Sequence, residues 1–268
     1  MGSPDDRADD ELALPARRAG SFGAHAAAYA EHRPDYPAGA IRWALAAVAH
    51  RRPLTVLDLG AGTGKLTLGL LDAGATVIAV EPDEHMRAEL IRRLPAVTVH
   101  DGTAEAVPVP DDSVDAIVAG QAFHWFDLDR AYPEFLRVLR PGGVLAALWN
   151  TDDSTVDWVA GLKRIAGSSA STALPLLGQL ELELPDHPLF REHEFEHKTF
   201  PHRHRRTAES LTATIGTHSH TLVISPQERA EVLARITTYL RERPETAEGE
   251  FDLPISTSVL RSTLRPVD

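Results

Sequence analysis

The chain has 268 residues, 43% of them hydrophobic, and its 39 acidic and 27 basic side chains give a formal net charge of −12. This size predicts one large domain, or a core domain with an elaborated end. The acidic balance argues against nucleic acid as a partner, because phosphate binding depends on clustered Lys and Arg. The absence of cysteine rules out a disulfide framework, a thiolate nucleophile and a cysteine zinc site.

The first segments of the chain predict a tail followed by helical material. Residues 1–20 are charged and lack periodicity, so we expect them to be mobile. No apolar run approaches the roughly 18 residues of a membrane span, and no hydrophobic signal core is present, which predicts a cytoplasmic protein without a membrane partner. An alanine-rich stretch then leads through Arg33-Pro34-Asp35-Tyr36-Pro37 to a predicted helix at residues 41–48.

Strands and helices alternate from residue 54 to about residue 150. In the last predicted helix Leu128, Tyr132, Phe135, Leu136 and Leu139 share one face, as in a helix packed on a sheet. Pro141-Gly142-Gly143 predicts the end of that helix and a chain reversal. Such alternation predicts a parallel sheet covered on both faces. We predict strands at 54–59, 76–80, 96–100, 114–119 and 143–149, and helices at 64–73, 84–94 and 128–140.

The remainder of the chain follows a different pattern. Residues 151–192 predict a helix and a connection, residues 193–200 a strand, and residues 256–264 a final strand. Ser225-Pro226-Gln227-Glu228 is typical of a helix start. The alternation places His193 and His197 on one strand face, but the histidine spacing fits no compact ligand pattern, and we predict no metal site.

Residues 56–64, with the sequence Val-Leu-Asp-Leu-Gly-Ala-Gly-Thr-Gly, are the most informative segment. An apolar strand pattern ends in three alternate glycines, and leucines at helical spacing follow. Glycine lets the backbone approach a ligand closely, and the amides at the start of a helix favour an anion or a polar group there. Lys65 occupies the third-glycine position of the dinucleotide fingerprint, which disfavours a nicotinamide-dependent dehydrogenase. Leu66 after Lys65 excludes a P-loop.

The next predicted strand ends in Glu81, where a carboxylate can hold the two hydroxyls of a ribose. The combination of the glycine turn with this acidic residue resembles the motifs of the class I S-adenosylmethionine-dependent methyltransferases of the small-molecule type. The match runs motif by motif over about residues 21–150. It implies a Rossmann-like class I methyltransferase fold of the α/β class: a mainly parallel seven-stranded sheet with helices on both faces, strand 54–59 near the centre and an antiparallel final strand.

The resemblance also implies how the chain is organised and how it binds S-adenosylmethionine. After a tail at 1–20, residues 21–268 form the methyltransferase domain: an N-terminal lid at 21–50, a cofactor-binding core at 51–150 and a substrate-covering part at 151–268. Helical material at about 207–243 is expected over the carboxyl edge of the sheet. The implied cofactor-binding residues are Tyr29, Arg33, Asp58, Gly60, Ala61, Gly62, Glu81, Pro82, Met86, Thr103, Ala104, Glu105 and Gln121.

For several of these residues, the alternative to cofactor binding is a purely structural role. Asp58 would then only cap the glycine turn, Met86 would belong to the core, and Glu105 would be a solvated loop acid. Tyr29 and Arg33 would only anchor the N-terminal segment.

His124 and Trp125, which follow the fourth strand, are the candidate catalytic residues, with a core indole as the alternative for Trp125. The pair resembles the corresponding segment of the trans-aconitate and farnesoic acid methyltransferases, which implies a small-molecule acceptor with a carboxylate as first choice. A phenol would instead use His124 as a base, and an amine, a carbon of a secondary metabolite or non-catalytic cofactor binding remain alternatives. The segment after the fourth strand lacks the [ND]-P-P-[FY] box of enzymes that methylate base amines. We expect a monomer or a homodimer.

Overall fold

A computed structural model describes residues 26–169 and 187–264, so the predicted tail at 1–20 lies outside the described residues. Within them the chain divides into two compact units. We call residues 34–152, 187–202 and 255–264 the sheet unit, and residues 26–33, 153–169 and 203–254 the helical unit. The predicted organisation as a single domain with a lid and a covering part stays a prediction.

The strands and helices follow in chain order. The strands are β1 (Thr55–Leu59), β2 (Thr76–Val80), β3 (Thr98–His100), β4 (Val114–Gly120), β5 (Leu139–Asp152), β6 (Glu196–Arg206) and β7 (Phe251–Thr263). The helices are α1 (Ala26–His32), α2 (Ala38–Ala44), α3 (Lys65–Asp72), α4 (Glu84–Arg93), α5 (Leu128–Val138), α6 (Asp157–Ile165), α7 (Pro188–Glu192), α8 (Ala208–Ile215), α9 (Ser219–Leu222) and α10 (Pro226–Arg241). Short 3₁₀ helices occupy Ala46–Val48 and Phe123–Trp125.

The strands form one sheet in the order β3-β2-β1-β4-β5-β7-β6. Strand β1 pairs in parallel with β2 and β4, and the outer pairs β2–β3 and β4–β5 are also parallel. Strand β7 pairs antiparallel with β5. The predicted mainly parallel sheet of seven strands, with β1 near its centre and an antiparallel final strand, is therefore confirmed.

Apolar residues on both faces of the sheet explain the parallel arrangement. Successive strand residues point to opposite faces, so Val56 and Leu57 enter different buried clusters. Leu57 belongs to the cluster that contains Phe135 of α5. Val56 belongs to the cluster that contains Ile41 of α2 and Leu70 of α3. A sheet buried on both faces needs such near-continuous apolar strands.

Some predicted boundaries are wrong. The helix predicted at 128–140 ends at Val138, and Pro141-Gly142-Gly143 lies inside β5, where the pairing with β4 shifts register between Val114 and Ala116. The proline and glycines thus form an irregularity within the strand, in which Gly142 has a φ of 70°. The predicted helix at 41–48 is α2 followed by a 3₁₀ turn.

The strand predicted at 193–200 is also displaced, because β6 begins at Glu196. His193 therefore precedes the strand and does not share a strand face with His197. Its side chain is buried, and Nε2 hydrogen-bonds with the Tyr132 hydroxyl at 2.9 Å.

The helical unit has a core of its own. Val232 and Ile236 of α10 are buried, as are Leu211 and Ile215 of α8. The Tyr239 hydroxyl of α10 donates to the Trp158 carbonyl of α6 at 2.9 Å. Across the described part of the chain, no helix combines the length and the apolar character needed to span a membrane.

Candidate active site

The glycine turn lies at the carboxyl end of β1, where β1 passes into α3. Gly60, Gly62 and Gly64 all have positive φ, at 70°, 56° and 84°. The backbone N–H groups of Gly60 and Ala61 donate to the Val80 carbonyl at 2.9 and 3.1 Å. These bonds join the turn to the end of β2, so the first two strands end at the same place.

Glu81, directly after β2, fixes the turn from the other side. Its Oε2 accepts the backbone N–H of Gly62 at 2.8 Å, and its Oε1 accepts the backbone N–H of Asp83 at 2.9 Å. The residue is only 7% exposed. Burial raises the pKa of this carboxyl, and the bonds from Asp83 and Gly62 partly oppose that shift. Each carboxylate oxygen has a second acceptor position, so these bonds leave Glu81 able to accept from a diol.

Asp58 of β1 lies fully buried below the turn. Its Oδ2 accepts the Thr67 hydroxyl of α3 at 2.5 Å. Burial raises the pKa of Asp58 to about 7, against the lowering effect of the Thr67 bond. Its Oδ1 and the Thr63 hydroxyl are buried and find no hydrogen-bond partner among the described residues. Buried polar atoms are normally paired, so these two atoms indicate that a polar group of a ligand binds at the turn.

Gly62 faces open space. A Cβ built on it would have no heavy atom within 4 Å. The turn therefore offers room above its backbone, a buried carboxylate at Glu81 and two unpaired polar atoms beside it. This set of groups fits a ligand with hydroxyl and charged polar groups, as S-adenosylmethionine has.

The segment after β4 lies against the glycine turn. A Cβ on Gly60 would stand 2.6 Å from the Cβ of Ala122, a distance that real side chains do not tolerate. Gln121 has φ +57°, which is uncommon for a residue other than glycine. Its backbone N–H donates to Leu148 and its side chain donates to the Asn150 carbonyl, at 2.9 and 2.8 Å. The backbone at Gln121 changes direction directly after β4, so residues 122–125 lie at the carboxyl edge of the sheet. A positive φ at a residue other than glycine is typical of functional segments.

His124 and Trp125 share the 3₁₀ helix Phe123–Trp125, and their ring centroids are 4.6 Å apart. His124 is exposed and Trp125 is half-buried, so Trp125 is not a fully buried core residue. The Trp149 indole N–H, on β5, points to His124 Nδ1 at 3.4 Å. Phe123 is buried and packs edge-on against Trp149, with centroids 6.2 Å apart. The Trp149 and Phe123 rings thus pack next to the segment that carries His124 and Trp125.

Tyr36 reaches the same edge of the sheet. A Cβ on Gly120 would lie 2.6 Å from the Tyr36 hydroxyl oxygen, so the phenol lies directly on the end of β4. The Asn150 side chain, at the end of β5, donates to the Asp35 carbonyl at 3.2 Å and accepts the Thr257 hydroxyl at 2.5 Å. Asp35 and Tyr36 thus contact the carboxyl ends of β5 and β4 within the sheet unit.

The remaining predicted residues of the sheet unit have different surroundings. Met86 is buried in the first turn of α4, and its N–H donates to the Asp83 side chain. Pro82 and Thr103 are exposed, and Ala104 is buried. Glu105 accepts the backbone N–H of Asp127 at 2.9 Å, which gives it a structural bond and a lowered pKa. Contact of these residues with the cofactor stays a prediction.

The two N-terminal residues belong to the helical unit. The side chain of Tyr29 lies outside the described residues. Arg33 donates from Nη2 to the Thr217 carbonyl at 3.1 Å. The predicted role of both residues in cofactor binding stays a prediction.

Sequence reasoning missed Thr67, Trp149 and Asn150. The only sequence signal for the last two was their position at the end of a predicted strand, because the carboxyl ends of parallel strands meet at one edge. Within the described residues, no three His, Asp or Glu side chains come close enough together to hold a metal ion.

Comparisons with known proteins agree with this geometry. Residues 57–147 match the model of a methyltransferase domain. An uncharacterized methyltransferase of Mycobacterium tuberculosis is 39% identical over 245 residues, which span 91% of this chain and 96% of the relative. The chain belongs to the class I S-adenosylmethionine-dependent methyltransferases.

Two further proteins are similar to the methyltransferase. A solved structure from Anaeromyxobacter dehalogenans, provisionally described as a type II methyltransferase, superposes with a TM-score of 0.63 at 28% identity, over 88% of this chain and 99% of that one. The malonyl-[acyl-carrier protein] O-methyltransferase of Methylococcus capsulatus is 46% identical over 101 residues, 35% of this chain and 36% of the relative. The methyltransferase thus uses S-adenosylmethionine as its cofactor.

Proposed function

We propose that the methyltransferase transfers a methyl group to an oxygen of a small, partly apolar molecule, and that this oxygen belongs to a carboxylate. The observation that carries the proposal is the composition of the 3₁₀ segment beside the glycine turn. Residues 120–126 read Gly-Gln-Ala-Phe-His-Trp-Phe and contain no acid, lysine or arginine. They offer aromatic rings and the ring N–H groups of His124 and Trp125.

The cofactor, when bound, supplies a methyl group that its sulfonium already makes electrophilic. The protein's own residues then need to hold the nucleophile in line and exclude water. We assign the holding of the cofactor to the turn at Gly60–Gly62–Gly64 and to Glu81. In support, Glu81 is buried and oriented by two backbone N–H groups.

A carboxylate suits this segment better than the other acceptors do. With an ordinary pKa of about 4, it is ionised at neutral pH and needs orientation but no base. The Trp125 indole N–H can donate to one carboxylate oxygen while the other attacks. An aliphatic amine, in contrast, is protonated at neutral pH and would need an acid-rich site, which residues 120–126 do not provide. The partial relative that O-methylates malonyl-[acyl-carrier protein] acts on an acyl group that carries a free carboxylate.

Turnover with a panel of acceptors tests the proposal. Purified protein with S-adenosylmethionine should methylate small dicarboxylic, tricarboxylic or unsaturated monocarboxylic acids, with S-adenosylhomocysteine as co-product. The rate on the active acid should be flat from about pH 6 to 9, because the carboxylate is ionised throughout. A phenol with a histidine base should instead give a rate that rises near pH 6.5, where imidazole titrates. Methylation of phenols or amines without any acid would overturn the proposal.

A further inference from the structure

Trp149 and His124 meet at the carboxyl edge of the sheet, although 25 residues separate them in the sequence. Trp149 belongs to β5, opposite Ser258 of β7 in the ladder, and is 6% exposed. Its ring packs edge-on against the buried Phe123 at an interplanar angle of 88°. The indole is thus held by strand pairing and by ring packing, and its N–H is directed at Nδ1 of His124.

The chemistry of the two rings makes this contact directional. An indole has one N–H, which it donates and does not release, and it has no acceptor nitrogen. A neutral imidazole carries one N–H and one bare nitrogen. Nδ1 of His124 must therefore be the bare nitrogen that accepts from Trp149, and the ring proton must lie on Nε2. A buried indole N–H needs such a partner.

We propose that Trp149 is a positioning residue that holds the His124 ring with its proton on Nε2, so that His124 donates a hydrogen bond to the acceptor instead of acting as a base. The role toward the acceptor rests on the proposed function. The tautomer itself rests only on the contact between the two rings. With its Nδ1 lone pair engaged by Trp149 and a proton on Nε2, the ring has no nitrogen ready to take a proton from a phenol.

Trp149 is in this way a determinant of acceptor choice that lies outside residues 120–126. A donor at Nε2 suits a carboxylate, which accepts hydrogen bonds at both oxygens. Together His124 and Trp125, with ring centroids 4.6 Å apart, would present two N–H groups to one acid. Trp149 acts through His124 and has no assigned contact with the acceptor.

The first test measures the tautomer directly. Histidine labelled with ¹⁵N reports which ring nitrogen is protonated, and the spectrum of the His124→Gln protein assigns the His124 signals. In the wild type at pH 8 we expect the proton on Nε2 alone, and a Trp149 indole N–H signal that shifts when His124 is replaced. In Trp149→Phe, which keeps an aromatic ring against Phe123, we expect the Nδ1-protonated form to become detectable. A proton on Nδ1 in the wild type, or an unchanged ratio of tautomers in Trp149→Phe, would overturn the inference.

The second test asks whether His124 donates from Nε2, by comparing the kcat/KM values of two matched variants. The amide nitrogen of glutamine lies near the position of imidazole Nε2, whereas that of asparagine lies near Nδ1. We therefore expect kcat/KM on the active acid to be about fivefold higher for His124→Gln than for His124→Asn, the worth of one hydrogen bond. Equal values would contradict a donor at Nε2. Cofactor affinity within about twofold of wild type shows that each variant is folded.

The two tests separate this inference from the proposed function. If no acid is methylated but the ring proton lies on Nε2 and responds to Trp149→Phe, the choice of acceptor is wrong and the positioning role stands. If acids are methylated but the proton lies on Nδ1, the proposed function stands and the positioning role is wrong.

Discussion

The Glu81 carboxylate accepts the backbone N–H of Gly62 at 2.8 Å, across the gap between the ends of β2 and β1. One residue thereby orients the glycine turn and presents a buried negative charge beside it. A second bond, from the backbone N–H of Asp83 at 2.9 Å, fixes the rotamer of Glu81. The acid is therefore already in place before a ligand enters, which lowers the entropic cost of binding.

Replacing Glu81 with alanine should weaken S-adenosylmethionine binding by about 2 kcal/mol, or about thirtyfold, because charge-assisted hydrogen bonds to the ribose are lost. Isothermal titration measures this change. Glu89→Ala is the matched control, because it also removes one negative charge. Glu89 lies on α4 and pairs with Arg92, so it has no assigned contact with the cofactor. Affinity equal to that of the wild type in Glu81→Ala would show that the ribose lies elsewhere.

Gly62→Ala should lose cofactor affinity by more than about tenfold while the protein stays folded. No protein atom lies within 4 Å of the new Cβ, so the methyl group competes with the ligand and not with the core. The positive φ adds a strain of about 1–2 kcal/mol. Gly74→Ala is the control, because Gly74 also has positive φ and an open Cβ direction, but follows α3. Equal losses of affinity in the two variants would mean that strain alone is responsible.

Asp58 should make a contribution to the stability of the cofactor-free protein that is lost as the pH rises from 5 to 8, whereas His218, whose pKa burial lowers well below its ordinary value, contributes in the opposite direction. Burial raises the pKa of Asp58 from 3.8 to about 7, so the folded state holds a proton that the unfolded state has released. A group with a raised pKa stabilises the fold at low pH and loses that contribution as pH rises through the folded value. Over this range the change is on the order of 3 kcal/mol.

Asp58→Asn cannot ionise, so it should remove this part of the pH dependence. Urea unfolding at pH 5, 6, 7 and 8 compares the two proteins. Parallel dependence of the unfolding free energy on pH in wild type and Asp58→Asn would show that Asp58 does not titrate in this range.

Trp125→Phe should raise KM for the active acid by about fivefold, because it removes one N–H donor and keeps a ring of similar shape. Steady-state kinetics at saturating cofactor measures the change. Trp43→Phe is the control for loss of an indole in the same unit, since Trp43 packs against Phe200 and Arg261. Unchanged kinetics in Trp125→Phe would mean that Trp125 only packs against its neighbours.

The sequence predicts those features of the fold and the site that depend on short-range patterns. The boundaries of β1 and β2 agree with the predicted strands to within one residue, because apolar strands that end in glycine or in an acid are local signals. The positive φ of Gly60, Gly62 and Gly64 follows from the same local pattern.

Features that depend on tertiary contacts were not predictable in this way. Pro141-Gly142-Gly143 has the composition of a chain reversal, yet pairing of β5 with β4 absorbs it as an irregularity within a strand. The contact between Trp149 and His124 joins the ends of β5 and β4 and has no signature in either segment. Thr67 gave no signal, because its role depends on the buried carboxyl of Asp58 nine residues earlier.

The most direct test of the account determines the bond that the methyl group forms. The protein is incubated with S-adenosylmethionine labelled in the methyl group and with the acid panel, and the product is then treated with mild alkali. A methyl ester releases labelled methanol under these conditions, whereas a methyl ether, an N-methyl amine or a C-methyl product does not. We predict release of the label as methanol, with S-adenosylhomocysteine formed in equal amount. Label that stays on the product after alkali would contradict the account.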